Sequence, residues 1–307
     1  MAWIWLVLLY GIIKGTREIV KKKALGRNSA IEVLFMYTVL AFILVLPDAK
    51  NALGLEVKYY FYISIKSFAI FLAWMFSFKA ISKMPISLYG VLDLSRVLFA
   101  TLLGVIVLQE TLGIWQVLGL ILVSSGLLLL KYRPKSSGSR QSDSKGQDDK
   151  ESDEQGREQT NVQEKDRVET KLVIMAFASC LLNAVSGLLD KLLMKDINSS
   201  QLQFWYLLFL ALMYLIFIIV SKTPVHMRST LKNYWIWILS ILIVVADRSL
   251  FLANGMEGSR VTVMTLLKQS GSVVAILGGR FIFHEKNTGH KLVCAAIIIA
   301  GIVMGVL

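Results

Sequence analysis

The stretch from Met84 to Leu130 recurs as Ser259 to Gly305, displaced by 175 positions and needing no gap. Leu92 falls on Leu267, Ser95 on Ser270, Ala100 on Ala275, Leu102 on Leu277, Gly104 on Gly279, Glu110 on Glu285 and Gly126 on Gly301. In each copy an apolar span holding an ionisable residue runs into a short polar turn with a glutamate, Gln109-Glu110-Thr111 or His284-Glu285-Lys286, and then into a second apolar span. Two membrane-crossing helices joined by a tight turn, used twice, is the reading this pattern predicts.

Apolar runs near 20 residues, the length that crosses a bilayer, recur along most of the chain. They account for a hydrophobic content of 55%, more than a water-soluble core requires. Ten-residue alternating segments are missing, and spans in lipid must satisfy their backbone groups internally, so helices are expected in preference to a barrel. The runs place spans near 2–22, 31–47, 59–80, 86–108, 112–131, 172–194, 201–220, 234–255, 260–283 and 290–307. The opening MAWIWLVLLYGIIKG has neither a charged leader region nor a small-x-small cleavage site and reads as a retained first span. Residues 132–171, almost free of apolar side chains and dense in mixed charge, are expected to form a disordered tether. They separate a first five-helix repeat, 1–131, from a second, 172–307.

The repeat reaches the first helix of each half: Gly15 aligns with Gly187, Glu18 with Asp190 and Lys23 with Lys195. An odd number of spans per half makes the second copy start from the opposite side of the membrane. The expected fold is thus an all-α integral membrane protein of ten transmembrane helices in two inverted five-helix repeats, an architecture of transporters.

Several functions are disfavoured. The net charge of +12 comes from residues scattered over span ends and loops, without the interleaved aromatics of a nucleic-acid patch. Cys180 and Cys294 lie far apart within apolar spans, so neither a disulfide framework nor a zinc site is indicated. The string from His284 to His290 starts like a zincin helix but has Thr288 where the second histidine belongs, and neither GxSxG nor Walker A occurs. No enzyme, metal or cofactor is expected, apart from a proton or ion that could couple transport.

Ionisable residues inside a membrane cost roughly 2.5–3.5 kcal/mol on insertion scales and mark cavities or partners. Glu18 and Asp190, at equivalent levels of the first helix in each half, are candidates because carboxylates snorkel poorly. Lys14 is expected to pair with Glu18 at i,i+4, and Arg17 and Lys191 are placed between snorkelling and the interior. Asp93 and Arg96 lie on one face near the middle of their span, where a local ion pair competes with a solute role for Arg96. Lys268 holds the repeat position of Asp93, with Gln269 beside it. Asp247 and Arg248 are adjacent, about 100° apart on a helix, so at least one should face a cavity. Asn183, Trp74, Tyr89 and Asn254 are weaker candidates.

Taken together, the ten spans in two copies, the turns with Glu110 and Glu285, and the small-residue stretches Ser124-Ser125-Gly126 and Gly301 with Gly305 resemble the EamA family of the drug/metabolite transporter superfamily. The resemblance implies secondary transport of small metabolites through a central cavity between the halves. The charged linker is longer, and the helices more basic, than the family pattern. The buried cations point to an anionic or zwitterionic solute. A lipid-carrier flippase and a non-transporting scaffold or receptor are the rivals. Partners are then the solute and the lipid bilayer, with a homodimer left open.

The resemblance would put both termini inside. The short-loop lysines and arginines disagree: Lys21, Lys22, Lys23, Arg27, Lys79, Lys83, Lys222, Arg228, Lys232, Arg280, Lys286 and Lys291 gather on one face. The positive-inside rule then puts both termini outside and the linker in the cytoplasm, in a multi-pass protein of the cell membrane. A cysteine introduced as Ser142→Cys is expected to react with membrane-impermeant reagents only after cells are opened, and labelling of intact cells would reverse this orientation.

Overall fold

The computed structural model describes residues 2–109, 111–131, 151–284 and 288–306. Among these all regular structure is helical, and six helices are long and apolar enough to cross a membrane. The longer helices are α1 (Ala2–Leu25), α2 (Ala30–Val45), α3 (Val57–Lys83), α4 (Ile86–Leu92), α5 (Arg96–Leu108) and α6 (Ile114–Lys131), followed by α7 (Glu151–Leu193), α8 (Ser199–Ser221), α9 (Tyr234–Gly255), α10 (Val261–Lys268), α11 (Ser270–Phe281) and α12 (Thr288–Val306). The chain is an all-α, multi-pass membrane protein. Helix α1 falls outside the six because Lys14, Arg17, Glu18 and Lys21 interrupt its apolar run.

Helix α7 begins at Glu151 and runs unbroken into the apolar segment. Its first turns are rich in Glu, Gln, Arg and Lys, which lose little side-chain freedom in a helix and so extend one that is already nucleated. Residues 132–150 lie outside the described residues, as do Glu110 and Glu285 of the two repeated turns.

The sequence repeat reappears in local structure. Helix α2 starts with a capping box: Glu32 N–H donates to Ser29 Oγ at 3.4 Å and Ser29 N–H to Glu32 Oε2 at 2.9 Å. Helix α8 starts with the same device, Gln201 N–H donating to Asn198 Oδ1 at 2.8 Å and Asn198 N–H to Gln201 Oε1 at 3.1 Å. Each box satisfies two backbone donors that a helix start leaves free. At the polar turns, Gln109 and His284, 175 positions apart, both adopt the left-handed conformation, with φ of 55° and 50°.

A second shared feature is a break. Helices α4 and α5 are separated by a 3-10 turn, Asp93–Ser95, and α10 and α11 by Gln269, whose N–H bonds to Leu266 O at 3.0 Å in 3-10 fashion. Neither break contains proline. Both occur where the repeat places polar residues, Asp93 to Arg96 in one half and Lys268 to Ser270 in the other, and a 3-10 stretch inside a helix is a common sign of a functional hinge.

The halves interdigitate. Helix α1 packs on α9 and α11 of the other half, and its counterpart α7 packs on α3 and α5; α2 lies against α8, α6 against α12. The largest apolar core joins α2, α3, α8 and α9, with Tyr37 stacked on Phe78 at 5.8 Å and Tyr206 and Tyr214 fully buried. Helix α1 meets α11 through glycines: a Cβ on Gly15 or on Gly271 would run into the other helix's backbone. At Gly187, the repeat counterpart of Gly15, a Cβ would meet nothing within 4 Å. Accordingly Gly271→Ala is expected to cost about 1–3 kcal/mol through overpacking, and Gly187→Ala to stay within about 0.5 kcal/mol, measured by thermal unfolding in detergent.

Candidate functional site

Helix α1 is inside-out relative to a soluble amphipathic helix. Trp5, Leu9 and Ile12 are exposed, on the side available to lipid, while Lys14, Arg17, Glu18 and Lys21, at i, i+3, i+4 and i+7, are buried on one face. Burial of such charges is tolerated only where partners or a polar cavity compensate, and both are present.

Lys14 donates from Nζ to Asp93 Oδ2. On the other oxygen Asp93 accepts from Arg96 Nη2 at 2.7 Å. One carboxylate at the α4–α5 break therefore holds two cations. The expected Lys14–Glu18 pair is replaced, because Asp93 reaches α1 and Glu18 is taken by Lys21 at 2.7 Å. Lys21 also lies 3.5 Å from Ser77 Oγ and over the Phe78 ring, and Ser77 shares a 2.8 Å hydrogen bond with Tyr89.

Above this layer the helices form a partly open cavity of about 60 Å³, room for a few waters or a small ionic group. Arg17, Lys66, Arg96 and Lys268 line it, against the carboxylates of Asp190 and Asp247, with Tyr10, Trp74, Tyr206 and Phe251 as aromatic wall and Asn183 and Asn254 as neutral polar groups. The lining positions on α7 and α9 lie in their C-terminal halves and those on α10 run its whole length, Val261, Thr265 and Lys268, so the cavity extends from the turn between α9 and α10 to the α10–α11 break.

Two ion pairs cross between equivalent helices with opposite polarity. Lys66 of α3 meets Asp190 of α7 at 3.1 Å, although Asp190 Oδ1 has no aligned hydrogen bond. Arg17 of α1 lies 3.8 Å from Asp247 of α9, too far for a hydrogen bond, and Tyr206 donates its hydroxyl to Asp247 Oδ2. The Lys66 ammonium also sits 3.8 Å from the Tyr206 ring centroid and 5.1 Å from that of Phe251, where the ring faces attract a cation. Lys268 has no carboxylate within ion-pair distance among the described residues; its neighbour is the Tyr10 ring at 5.8 Å. It feels the fields of Asp190 and Asp247 and the repulsion of Arg96 and Lys14.

Of the sequence candidates, Arg96, Asp190, Asp247 and Lys268 converge on the cavity, and Asp93 stands directly behind Arg96. Glu18, Arg248 and Gln269 are not among its lining residues. Arg248 turns away from its neighbour Asp247 and ties α8 and α9 to the end of α2, donating to Gln203 Oε1 at 2.6 Å, Ser200 Oγ at 2.7 Å and Asp48 Oδ2 at 2.5 Å. Gln269 is buried at the α10–α11 break, accepts from Ser272 at 3.2 Å and leaves Nε2 without a partner. Lys191 does not snorkel but holds the α9–α10 turn through Asn254 O and Ser259 Oγ. Among the weaker candidates Asn183, Trp74 and Asn254 line the cavity, and Tyr89 does not. Lys66 is the residue that sequence reasoning missed. A lone lysine in the apolar run Ile63–Leu72 carried the same signal as the others.

These features define a membrane protein with a charged cavity shared by two structurally repeated halves. The chain belongs to the EamA-like transporter family, whose model matches residues 1–132 and 170–307. No curated protein matches the sequence. A solved structure described only as "Crystal structure of protein" is similar over 99% of this chain and 96% of its own, with a TM-score of 0.65 at 14% identity, a likeness of fold alone.

Because Asp93 balances two buried cations, Asp93→Asn is expected to cost about 3–5 kcal/mol. Adding Lys14→Met should return a large part of that loss, as one stranded charge is then removed. Thermal midpoints of the single and double variants in detergent check this, and equal midpoints would show that the pair carries no weight.

Proposed function

We propose that the protein is a secondary transporter of a small anionic or zwitterionic metabolite, working by alternating access between two inverted five-helix repeats of ten spans in all. The observation that carries this reading is the lining of the cavity, in which Arg96 and Lys268, one from each half, stand beside helix breaks at matching repeat positions. Fixed cations shielded from water bind a carboxylate or phosphate far more strongly than exposed ones do.

Solute bound between Arg96 and Lys268 draws together α5 and α10, which pack on each other across the halves. Rocking of the halves about this point then exposes the solute to one side or the other, and the solute favours whichever closed arrangement it contacts best. The breaks are natural hinges for the motion. Asp190 or Asp247 takes the coupling proton in this scheme, as each faces the cavity beside a cation whose pairing a proton would weaken. In this scheme the protein lies in the cell membrane with the linker in the cytoplasm, the side that the short-loop lysines and arginines favour.

In proteoliposomes, Arg96→Ala and Lys268→Ala are each expected to bring uptake of the transported solute to background while the protein stays inserted and monodisperse. Lys58→Ala, at an exposed cation outside the cavity, should leave uptake unchanged. Wild-type rates in both cavity variants would remove these residues from the pathway.

A further inference from the structure

The charges around the cavity do not balance, and the imbalance has a definite size. Arg17, Lys66, Arg96 and Lys268 in the wall, with Lys14 behind it, face Asp93, Asp190 and Asp247. Each carboxylate is already engaged: Asp190 by Lys66, Asp247 by Arg17 and the Tyr206 hydroxyl, Asp93 by Lys14 and Arg96 together. Two positive charges are left over. One belongs to the Lys14–Arg96 couple that shares a single carboxylate, the other to Lys268.

The unsatisfied hydrogen-bonding groups point the same way. Among the wall residues, Arg17 Nη1, Arg96 Nε and Asn254 Nδ2 are buried donors without a hydrogen-bond partner, against one such acceptor, Asp190 Oδ1. A buried donor left unmet costs about 1–3 kcal/mol, so the cavity favours a ligand rich in acceptors. A zwitterion would bring an ammonium that needs a free carboxylate, and each carboxylate here has a cation or hydroxyl on it. A monocarboxylate would leave one cation of the wall unbalanced.

We propose that the cavity is a site for a doubly charged oxyanion head group, a phosphomonoester in chemical class, with Arg96 and Lys268 as its charge partners and Arg17 and Asn254 as further donors. This rests on the transporter reading for its role but not for the binding itself. A phosphoryl group presents three equatorial oxygens to donors arriving from several directions, which suits guanidinium and ammonium groups brought in by α1, α5, α9 and α10.

The test is binding and uptake by the full chain with inorganic phosphate, glycerol 3-phosphate, lactate and alanine at pH 7.5, and with vesicles containing phosphatidic acid as the lipid source of the same group. Glycerol 3-phosphate or inorganic phosphate should raise the thermal midpoint and compete with each other, and lactate and alanine should not. Arg96→Gln should weaken phosphate binding at least tenfold, and Lys268→Gln, which removes one surplus charge, should shift preference toward lactate. Stabilisation by phosphatidic acid alone would assign the group to a lipid headgroup and support the same chemistry. Phosphate binding without uptake into proteoliposomes would support the site and remove the transporter reading. Stabilisation by alanine or lactate but by neither phosphate would overturn the proposal, as would unchanged phosphate affinity in folded Arg96→Gln and Lys268→Gln.

Discussion

The structure depends on how Asp93 is shared. A single carboxylate at a helix break neutralises Lys14 from α1 and Arg96 from α5, and in doing so fastens the first helix to the centre of the fourth span. An isolated charge in this environment would carry a desolvation penalty of several kcal/mol, so the polar layer forms as a unit or not at all. Around it the second layer follows: Glu18 closes on Lys21, and Ser77 and Tyr89 complete the hydrogen bonding between α3 and α4. The cavity begins where this layer ends, because beyond Asp93 the cations outnumber the carboxylates.

The sequence repeat underlies both the likeness and the difference of the halves. Caps, turn conformations and helix breaks recur in both halves on residues of similar character, Ser29 and Glu32 against Asn198 and Gln201, Gln109 against His284, and polar residues at the breaks. At the interface between halves the copies part company. Gly15 lies in backbone contact with Gly271, whereas Gly187 is open and lines the cavity, and the position that matches Gly271 in the first half is Arg96. A glycine pair lets two helices touch at the backbone, whereas Arg96 and Gly187 both line the cavity. The α1–α11 contact is thereby closed, while the equivalent position on α7 borders the charged cavity.

The candidate site was legible to the extent that its residues broke an apolar pattern. Arg96, Asp190, Asp247 and Lys268 stood out as ionisable groups inside spans, and all four meet in the cavity. Arg248 gave the same signal but serves to join α8, α9 and the end of α2 through Asp48, since adjacent positions on a helix face different neighbours. Glu18 is occupied by a lysine one turn away on its own helix. Lys66 lay in an equally apolar run without a repeat counterpart to draw attention to it, and its role emerges only from Asp190 and the Tyr206 and Phe251 rings, which come from three other helices.

By itself the sequence determined that the chain is helical and enters the membrane many times, because apolar runs of bilayer length leave the backbone no other way to satisfy its hydrogen bonds. It determined the duplication too, since gap-free identities at a constant offset do not depend on folding. It could not decide which charge pairs with which. Lys14 could reach Glu18 by local spacing, and only the approach of α4 to α1 makes Asp93 the nearer partner. Nor could it show that each half packs its first helix on the other half. Those outcomes depend on distances between segments far apart in the chain, which are set when the helices pack and not before.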